Sequence, residues 1–510
     1  MAKKEESKKP TNKGIKKAEP AKKVQAKVEP KKAVKEPTKK LAKATPKKTV
    51  KELPKKVTKT VEKAVKEATK KAPKKTIKEA RNNNNGLLYD VNETPPIGKW
   101  IVLAIQHVFA MLSATILVPI MVNGLCGKEI IPISLAFIAS GIGTIIYIFC
   151  TQRKSPVYLG GSIAFIAPMI MGYGLAGISG LFTGLVVTGL LYIVVALAMM
   201  FWGREWLNKA LPPVVVGPMI IIIGLGLAGL AVDYAGIGLG IFEWENLVVL
   251  LVTLAVTIGL AMYTKGFFKI VPFIFGIVAG YITACLFGMV DFQPVLDAKW
   301  LGLPEFNFIF ADWNLHFGAV LTIAPVALIT IANHINNHIE LGNLLREDLT
   351  TEPGLERTLI GEGIATAISA MAGGPAVTAQ SDNNSVVGKT KIASITAVGL
   401  AALIVIIIAF IGKLIALVET IPNPVLGGIA ILVFGFVVVS GIKILVKNQV
   451  DFERTKNVVV VATMLIIAIG GAYISTDIGD YNLAIGGMSL AVIVGILLNL
   501  LLPNKESEMS

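Results

Sequence analysis

The sequence has few charged residues and few cysteines, and both scarcities limit the kind of protein that it encodes. Only 16% of the 510 residues are charged and 54% are hydrophobic, which is too apolar for an ordinary soluble domain. The three cysteines, Cys126, Cys150 and Cys285, show no CxxC spacing, so we expect neither a disulfide framework nor a metal knuckle. HExxH and GxSxG motifs are missing as well, so we expect no metal, no cofactor and no enzymatic activity. The composition indicates a membrane protein.

The net positive charge of the chain comes from its first 85 residues. The net charge is +15, but residues 1–85 carry 30 Lys and Arg against 9 Asp and Glu, and the remainder carries 19 against 25. This segment lacks the apolar region of a signal peptide and is repeatedly interrupted by proline, so we expect a disordered cytoplasmic tail. Three interpretations stay open: attraction to anionic lipid, electrostatic binding of nucleic acid, or a solvated and dispensable extension.

Apolar runs long enough to cross a bilayer recur throughout the rest of the chain. We count fourteen in a transporter domain of residues 86–510. Lys and Arg are concentrated in alternate loops, which predicts a multi-pass protein of the plasma membrane with both termini in the cytoplasm. The predicted spans are 99–125, 130–150, 156–173, 176–202, 211–234, 246–263, 268–290, 318–343, 358–373, 376–388, 392–413, 423–446, 457–474 and 483–502, in two halves of about 97–290 and 318–502.

A faint internal repeat relates the two halves. An amide followed by histidine occurs in the first span, at Gln106–His107, and in the eighth, at Asn333–His334. About fifty residues later, each half has a segment broken by glycine and proline, at Tyr158–Pro168 and at Gly373–Ser385. Seven spans per half is an odd number, so the halves must have inverted topology. Paired broken helices of this kind indicate the binding site of a transporter.

The two broken segments are the first candidates for solute binding. Unpaired backbone groups cannot face lipid, so these segments should line a cavity where N–H groups and a carboxylate hold a small planar solute. Asp382 is the candidate carboxylate; its alternative role is to cap the helix that follows. We expect Gln106 and His107 to buttress the opposite wall.

The eighth span carries a second concentration of polar side chains, at Asn333–Glu340. At helical spacing these side chains cover about half of the helix, a face that cannot meet acyl chains. Histidine is suited to proton transfer, so this face predicts substrate contact and proton handling. Hydrogen bonding between helices is the alternative, and we favour it for His338 and Glu340. Glu362 in the ninth span is either an interface acid or a proton relay.

Four stretches of sequence carry a resemblance to a known family. They are Gln106–Met111, Tyr158–Pro168, Glu352–Arg357 and Asp382–Lys391. The apolar part of the chain that contains them resembles the nucleobase-ascorbate transporter family and, within it, the bacterial uracil permeases. The last stretch fits the family signature except at Ser385, where glycine is usual.

The resemblance implies an all-α polytopic fold with fourteen transmembrane segments in two inverted seven-segment repeats. It further implies core and gate domains, and short antiparallel strands in spans three and ten. The implied function is secondary active import of a nucleobase, uracil first, by alternating access with proton symport, in a homodimer surrounded by membrane lipid. A xanthine or guanine permease and an anion transporter of the related sulfate-permease architecture are the alternatives.

The resemblance also implies which residues form the site. At two positions this sequence departs from the family, because Asn333 and Asn337 stand where uracil permeases have a glutamate and a histidine. Neither amide titrates, so proton coupling would have to rest on Asp382, His334 or His338. The candidates for substrate binding are Asp382, Asn333, Ser381, Ile163, Ser162, Ala114 and Asn383. The candidates for proton coupling or structural support are His334, Asn337, His338, Gln106, His107 and Thr390.

Overall fold

The computed structural model describes residues 86–503, except 239, 241, 307, 309–314 and 479–480. The lysine-rich tail at residues 1–85, which we predicted to be disordered, lies outside the described residues. Most of the described chain is helical, as expected for apolar segments whose backbone groups must bond to one another inside lipid.

The amino-terminal half contains ten helices among its described residues, and a short strand and a 3₁₀ turn interrupt them between α2 and α3. The helices are α1 (Ile97–Cys126), α2 (Ile133–Cys150), α3 (Ile166–Trp202), α4 (Glu205–Ala210), α5 (Pro213–Gly226), α6 (Ala228–Tyr234), α7 (Trp244–Tyr263), α8 (Phe267–Ile270), α9 (Pro272–Leu286) and α10 (Gln293–Asp297); the strand is β1 (Leu159–Gly161) and the 3₁₀ turn is Ile163–Phe165.

The carboxyl-terminal half follows the same plan, with a short strand between two of its helices, and adds a β-hairpin near its end. Its helices are α11 (Phe317–Ile323), α12 (Val326–Leu345), α13 (Leu355–Met371), α14 (Ser381–Thr390), α15 (Ile395–Ala409), α16 (Gly412–Glu419), α17 (Asn423–Lys447), α18 (Thr455–Ile469) and α19 (Gly487–Leu501); its strands are β2 (Val377–Ala379), β3 (Tyr473–Ile478) and β4 (Tyr481–Gly486); a π turn spans Thr350–Gly354.

Several of these helices can cross a membrane. Within the described residues, seven helical stretches are long and apolar enough to do so, and four further apolar helices are shorter. The seven stretches are Ile97–Cys126, Ile133–Cys150, Ile163–Trp202, Pro213–Tyr234, Trp244–Tyr263, Phe317–Leu345 and Asn423–Lys447. Each predicted span overlaps a helix over at least part of its length, whereas the count of fourteen and the inverted repeat stay predictions.

One detail differs from the spans predicted from sequence. The end of the thirteenth span and the beginning of the fourteenth are not helical, because they pair as β3 and β4. The predicted boundary between the third and fourth spans, by contrast, lies next to a break in α3. Ala176 and Gly177 both leave the helical region there, with Gly177 at a φ of 60°, so α3 consists of two helical parts.

The predicted pair of short antiparallel strands is present. Leu159 of β1 pairs with Ala379 of β2, and Gly161 pairs with Val377. Gly161 lies so close to α1 that an added Cβ would be 3.4 Å from the carbonyl oxygen of Ala114. Thr144 and Ser140 of α2 donate to the Leu159 carbonyl oxygen, which satisfies the backbone of this buried strand.

The helices pack in two groups. The first bundle contains α1, α2, α3 and α11 to α15, and its largest contacts are those of α3 with α13 and α11, and of α2 with α13 and α15. The second bundle contains α5, α6, α7, α9 and α17 to α19, held mainly by α17 against α5 and by α9 against α7. The bundles meet where β4, which leads into α19, contacts α11, where α12 contacts α5 and α19, and where α9 contacts α1.

Close contact between glycines holds the main helix pair of each bundle. A Cβ added to Gly363 of α13 would lie 2.7 Å from the carbonyl oxygen of Gly189 of α3. In the second bundle, a Cβ on Gly441 of α17 would lie 2.6 Å from the carbonyl oxygen of Gly217 of α5. Small residues at these crossings let the backbones approach, as is usual for helices packed in membranes.

Candidate substrate site

A cavity of about 110 Å³ lies between the two bundles. A bound water needs roughly 10–15 Å³ of such space, so the cavity holds several waters or one small ring. The first bundle supplies a mostly polar wall: Ser162, Ile163, Ala164, Thr330, Asn333, Thr378, Ala379, Gln380, Ser381 and Asp382. The second bundle supplies a mostly apolar wall: Ile220, Ile223, Phe273, Val433, Phe436, Val437 and Ser440.

The ends of the paired strands build the polar wall. The Ser162 N–H donates to the Ala376 carbonyl oxygen at 2.9 Å, which extends the pairing by one residue. From the other strand, the Gln380 side-chain amide donates to the Gly161 carbonyl oxygen at 3.0 Å. Each strand then turns directly into a helical segment, at Ile163 and at Ser381. N–H groups in a first helical turn have no intrahelical acceptor and lie at the positive end of the helix dipole, so they can bind an oxygen of a solute.

Asp382 lies in the first turn of α14 and lines the cavity. The residue at the N-cap position is Gln380, and no side chain caps this helix. Within the described part of the chain, the Asp382 carboxylate accepts no hydrogen bond. The alternative role of a cap therefore has no support in the geometry, and the carboxylate is available to a solute.

The helix α12 contributes Asn333 and Thr330 to the cavity. One turn further along, the side chain of Asn337 turns away from the cavity and donates to the Ala379 carbonyl oxygen at 3.0 Å. Asn384 in turn donates to the Asn337 carbonyl oxygen at 3.0 Å. Asn337 thus fastens the end of β2 to α12 and supports the wall from behind.

Two histidines and an acid form a buried network behind the cavity. His334 Nδ1 lies 2.5 Å from Glu362 Oε2, and both side chains have no exposed surface. The same carboxylate oxygen accepts the Ala379 N–H at 3.3 Å, whereas Glu362 Oε1 has no partner among the described residues. His338 lies one turn beyond His334, with its Nε2 2.6 Å from the Tyr147 hydroxyl. The network connects β2 at the cavity wall with α2 and the end of α12.

The remaining predicted site residues lie outside the cavity wall. Asn383 is fully buried and donates to the Pro156 carbonyl oxygen at 2.9 Å. Ala114 is buried behind Gly161, and the Thr390 hydroxyl donates to its own helix at Val386. Gln106 Oε1 and His107 Nδ1 are buried without a partner in the described region, and His107 lies beside Asn383.

Sequence reasoning did not identify the apolar wall or Gln380. Phe273 and Phe436 line the cavity, but an aromatic residue in a transmembrane run gives no indication of whether it faces lipid or a solute. Ser440 had a weak signal, because it is the only hydroxyl residue in the sequence of α17.

Comparison with known proteins places the chain in a family. The profile of the xanthine and uracil permeases, described as a permease family, matches residues 98–477. The uracil permease of Bacillus caldolyticus is 42% identical over 82% of this chain and 96% of its own length. For the uracil permease of Bacillus subtilis the identity is 38% over the same shares, and for that of Escherichia coli it is 34% over 81% and 93%.

Solved structures of more distant proteins share the fold. The transmembrane domain of the cyanobacterial bicarbonate transporter BicA matches with a TM-score of 0.51 at 16% identity, over 78% of this chain and 97% of that domain. The murine solute carrier 26 family member A9 anion transporter matches with a TM-score of 0.57 at 10% identity, over 80% and 69%. Identities this low show a common fold only. Together with the long match to the permease profile, these findings show that the chain is a multi-pass membrane transport protein that belongs to the xanthine/uracil permease family.

Proposed function

We propose that this protein imports uracil across the plasma membrane by alternating access. The observation that carries the proposal is the cavity itself, in which a carboxylate and the ends of two paired strands face an apolar wall. Its support is the long similarity to proteins named uracil permeases, over more than nine-tenths of their length. Uracil is a small flat ring with polar edges and apolar faces, which suits a site with these two walls.

The polar wall can satisfy the edge of the ring. Asp382 accepts a ring N–H, and the N–H groups of Ser381 and Ile163 donate to the ring carbonyl oxygens. The Asn333 amide donates and accepts at once, and the Ser162 hydroxyl adds a further polar contact. Phe273 and Phe436 pack against the ring face. The buried Ala114, Asn383, Gln106 and His107, and the half-buried Thr390, support this wall without touching the solute.

Movement of one bundle against the other would open the cavity to each side in turn. In the predicted architecture of fourteen spans in two inverted repeats, the first bundle is the core domain and the second is the gate domain. The support for this assignment is that α3 packs on α13 and α17 packs on α5, whereas fewer contacts join the bundles. The same proposal places both termini in the cytoplasm and includes a homodimer.

Proton symport would use the network of Glu362 and His334 in place of the family's titratable pair. The network contacts the cavity wall through Ala379, so a proton on it changes the hydrogen bonding of the strand that holds the solute. His338 and Tyr147 extend it away from the cavity. Histidine and carboxylate groups in protein-lined regions of the membrane are the usual carriers of protons in transporters.

Uptake into proteoliposomes tests the proposal. We expect the purified carrier to accumulate radiolabelled uracil, and an imposed inward proton gradient to increase that accumulation. Xanthine and guanine serve as competitors. Accumulation of a purine in preference to uracil would contradict the assignment of substrate, and no effect of the proton gradient would contradict the coupling.

An anion fits this cavity less well than a neutral ring does, although the solved structures that share the fold are named as a bicarbonate transporter and an anion transporter. The residues that line the cavity include Asp382 and no lysine or arginine. A second negative charge in this space would be repelled by the Asp382 carboxylate. Inhibition of uracil uptake by sulfate or bicarbonate at the concentration of uracil would revive the anion alternative.

A further inference from the structure

A second cavity lies next to the first, along the carboxyl-terminal parts of α12 and α17. Its volume is about 540 Å³, and we call it the vestibule. Its wall includes Asn336 and Glu340 of α12, Lys443 and Lys447 of α17, and the turn before α5 at Pro212. These polar side chains are close to the ends of α12 and α17 that lead into loops rich in lysine and arginine. Those loops are predicted to lie on the cytoplasmic side of the membrane.

Ser440 joins the two cavities. Among the residues that line each cavity, it is the one that they share in the described part of the chain. Its hydroxyl donates to the Phe436 carbonyl oxygen of its own helix at 2.9 Å. The oxygen keeps its lone pairs for other partners, so Ser440 offers an acceptor and little bulk at the junction.

A polar stripe on α12 runs past the same junction. Asn333 lines the solute cavity, and Asn336 and Glu340 line the vestibule. These three residues follow the i, i+3, i+7 spacing that places side chains on one face of a helix. Seven residues of helix rise about 10 Å. The stripe therefore gives hydrogen-bonding groups along the way from the cavity to the helix end.

We propose that uracil leaves for the cytoplasm through the vestibule, and that Ser440 is the neck through which the ring passes. This proposal rests on uracil transport as the proposed function and adds the route and the residue that limits it. A neck with one small side chain lets a single ring pass, whereas a branched side chain at the same position closes it. Ser440 also lines the solute cavity, but we expect the size of its side chain to limit the passage of the solute more than its binding.

Thiol accessibility tests the route. The variant Ser440→Cys is made in a background where the three native cysteines are replaced by alanine and uracil uptake persists. A membrane-impermeant thiosulfonate is applied to right-side-out and to inside-out vesicles. We expect modification of Ser440→Cys only in inside-out vesicles, slowed several-fold by saturating uracil. Val439→Cys is the matched control. Val439 is next to Ser440 in the sequence, its side chain is 45% exposed, and it lines neither cavity.

A bulky substitution tests the neck. We expect Ser440→Leu to reduce the uracil uptake rate by roughly 10-fold or more, while the Kd for uracil stays within about 3-fold of wild type, since binding and passage are separate steps. Val439→Leu, at a neighbouring position that lines neither cavity, should transport at the wild-type rate. Retained binding by Ser440→Leu also shows that this variant folds.

The outcomes separate the route from the proposed function. If wild-type carrier transports uracil but Ser440→Cys is inert in inside-out vesicles, or reacts equally with and without uracil, the route is wrong. Unchanged transport by Ser440→Leu also overturns the neck. Absence of uracil binding by the wild-type carrier overturns the proposed function instead. The two failures can be told apart because uptake by the cysteine-free background is compared with uptake by the wild type.

Discussion

At the scale of single residues, the carboxylate of Asp382 has the most direct chemical role in the proposed site. It lines the cavity and is not used by its own helix. We expect Asp382→Ala to weaken uracil binding by about 10- to 100-fold, because a hydrogen bond to a charged group contributes about 1.5–3 kcal/mol. Equilibrium binding of radiolabelled uracil to purified carrier measures the change.

The matched control for Asp382 is Ser385→Gly. Ser385 belongs to the same helix, is exposed and does not line the cavity. Glycine is also the residue usual at this position in the family signature, so binding should be unchanged. Wild-type affinity in Asp382→Ala would show that the carboxylate interacts only with the helix dipole.

Asn333 gives a second prediction, because it occupies a cavity position where related permeases are expected to have a titratable group. We expect Asn333→Glu to make uracil uptake depend more steeply on pH than in the wild type, since the new carboxyl group faces the solute and exchanges a proton. Initial uptake rates across a series of buffers measure this slope. A slope equal to that of the wild type would place position 333 outside the binding step.

Glu362 provides the prediction for coupling. Glu362→Gln keeps the size of the side chain and its hydrogen-bonding partners, but it cannot release a proton. We expect this variant to lose accumulation driven by a proton gradient and to keep exchange of internal for external uracil. Glu340→Gln serves as a control, because Glu340 lines the vestibule and does not belong to the buried network. Proton-driven accumulation at the wild-type level in Glu362→Gln would remove the network from the mechanism.

Sequence reasoning identified polar site residues better than apolar ones. Asp382, Asn333 and Ser381 stand out as polar groups inside apolar runs, and the structure places all three on the cavity wall. Asn383 stood out for the same reason but points to Pro156, since neighbours on a helix face different ways. Phe436 was missed, because a solute-facing phenylalanine and a lipid-facing one look alike in a sequence.

At the scale of secondary structure elements, the contact of α17 with α5 depends on Gly441. A Cβ there would lie 2.6 Å from the Gly217 carbonyl oxygen and 2.9 Å from the Ile221 backbone nitrogen, neither of which can rotate away. We expect Gly441→Ala to destabilise the protein by about 1–3 kcal/mol, the usual range for an overpacked interface. Thermal unfolding in detergent measures the loss.

The control lies on the same helix. Gly435→Ala adds a methyl group where no atom lies within 4 Å. Alanine also has a helix propensity about 1 kcal/mol better than glycine, so this variant should be at least as stable as the wild type. Equal unfolding temperatures for the two variants would show that the contact between α17 and α5 accommodates a methyl group at position 441 without loss of stability.

Elements were predictable where one physical effect dominates. Long apolar runs must be helical inside lipid, so α1, α2, α7 and α17 agree closely with the predicted spans. The hairpin of β3 and β4 was missed because its strands overlap the ends of two apolar runs. The break in α3 at Ala176 and Gly177 lies next to the boundary predicted between the third and fourth spans.

At the scale of the whole molecule, the lysine-rich tail lies outside the part of the sequence that matches the permease family. The permease profile matches from residue 98, and the Bacillus caldolyticus relative aligns over 82% of this chain and 96% of its own. We expect deletion of residues 2–85 to leave uracil uptake per carrier within about 2-fold in neutral liposomes, because its lysines act on anionic surfaces at about 1 kcal/mol each.

The composition of the membrane distinguishes the open roles of the tail. Comparison of the deleted and full-length proteins in liposomes with and without anionic lipid shows whether the tail contacts the headgroups. Loss of uptake in neutral liposomes would contradict a separate tail. Uptake and membrane localisation equal to those of the full-length protein in every condition would leave the dispensable extension as the remaining interpretation.

The pairing of β1 with β2 also bears on how the protein is made. Leu159 of β1 and its partner Ala379 of β2 are 220 positions apart in the chain. At 5–20 residues per second, a ribosome needs roughly 10 to 40 s to translate that distance. During that interval β1 has no strand partner, although backbone N–H and C=O groups without hydrogen bonds are unfavourable in lipid. We therefore expect the insertion machinery to keep β1 out of contact with lipid until the second half of the chain has been translated.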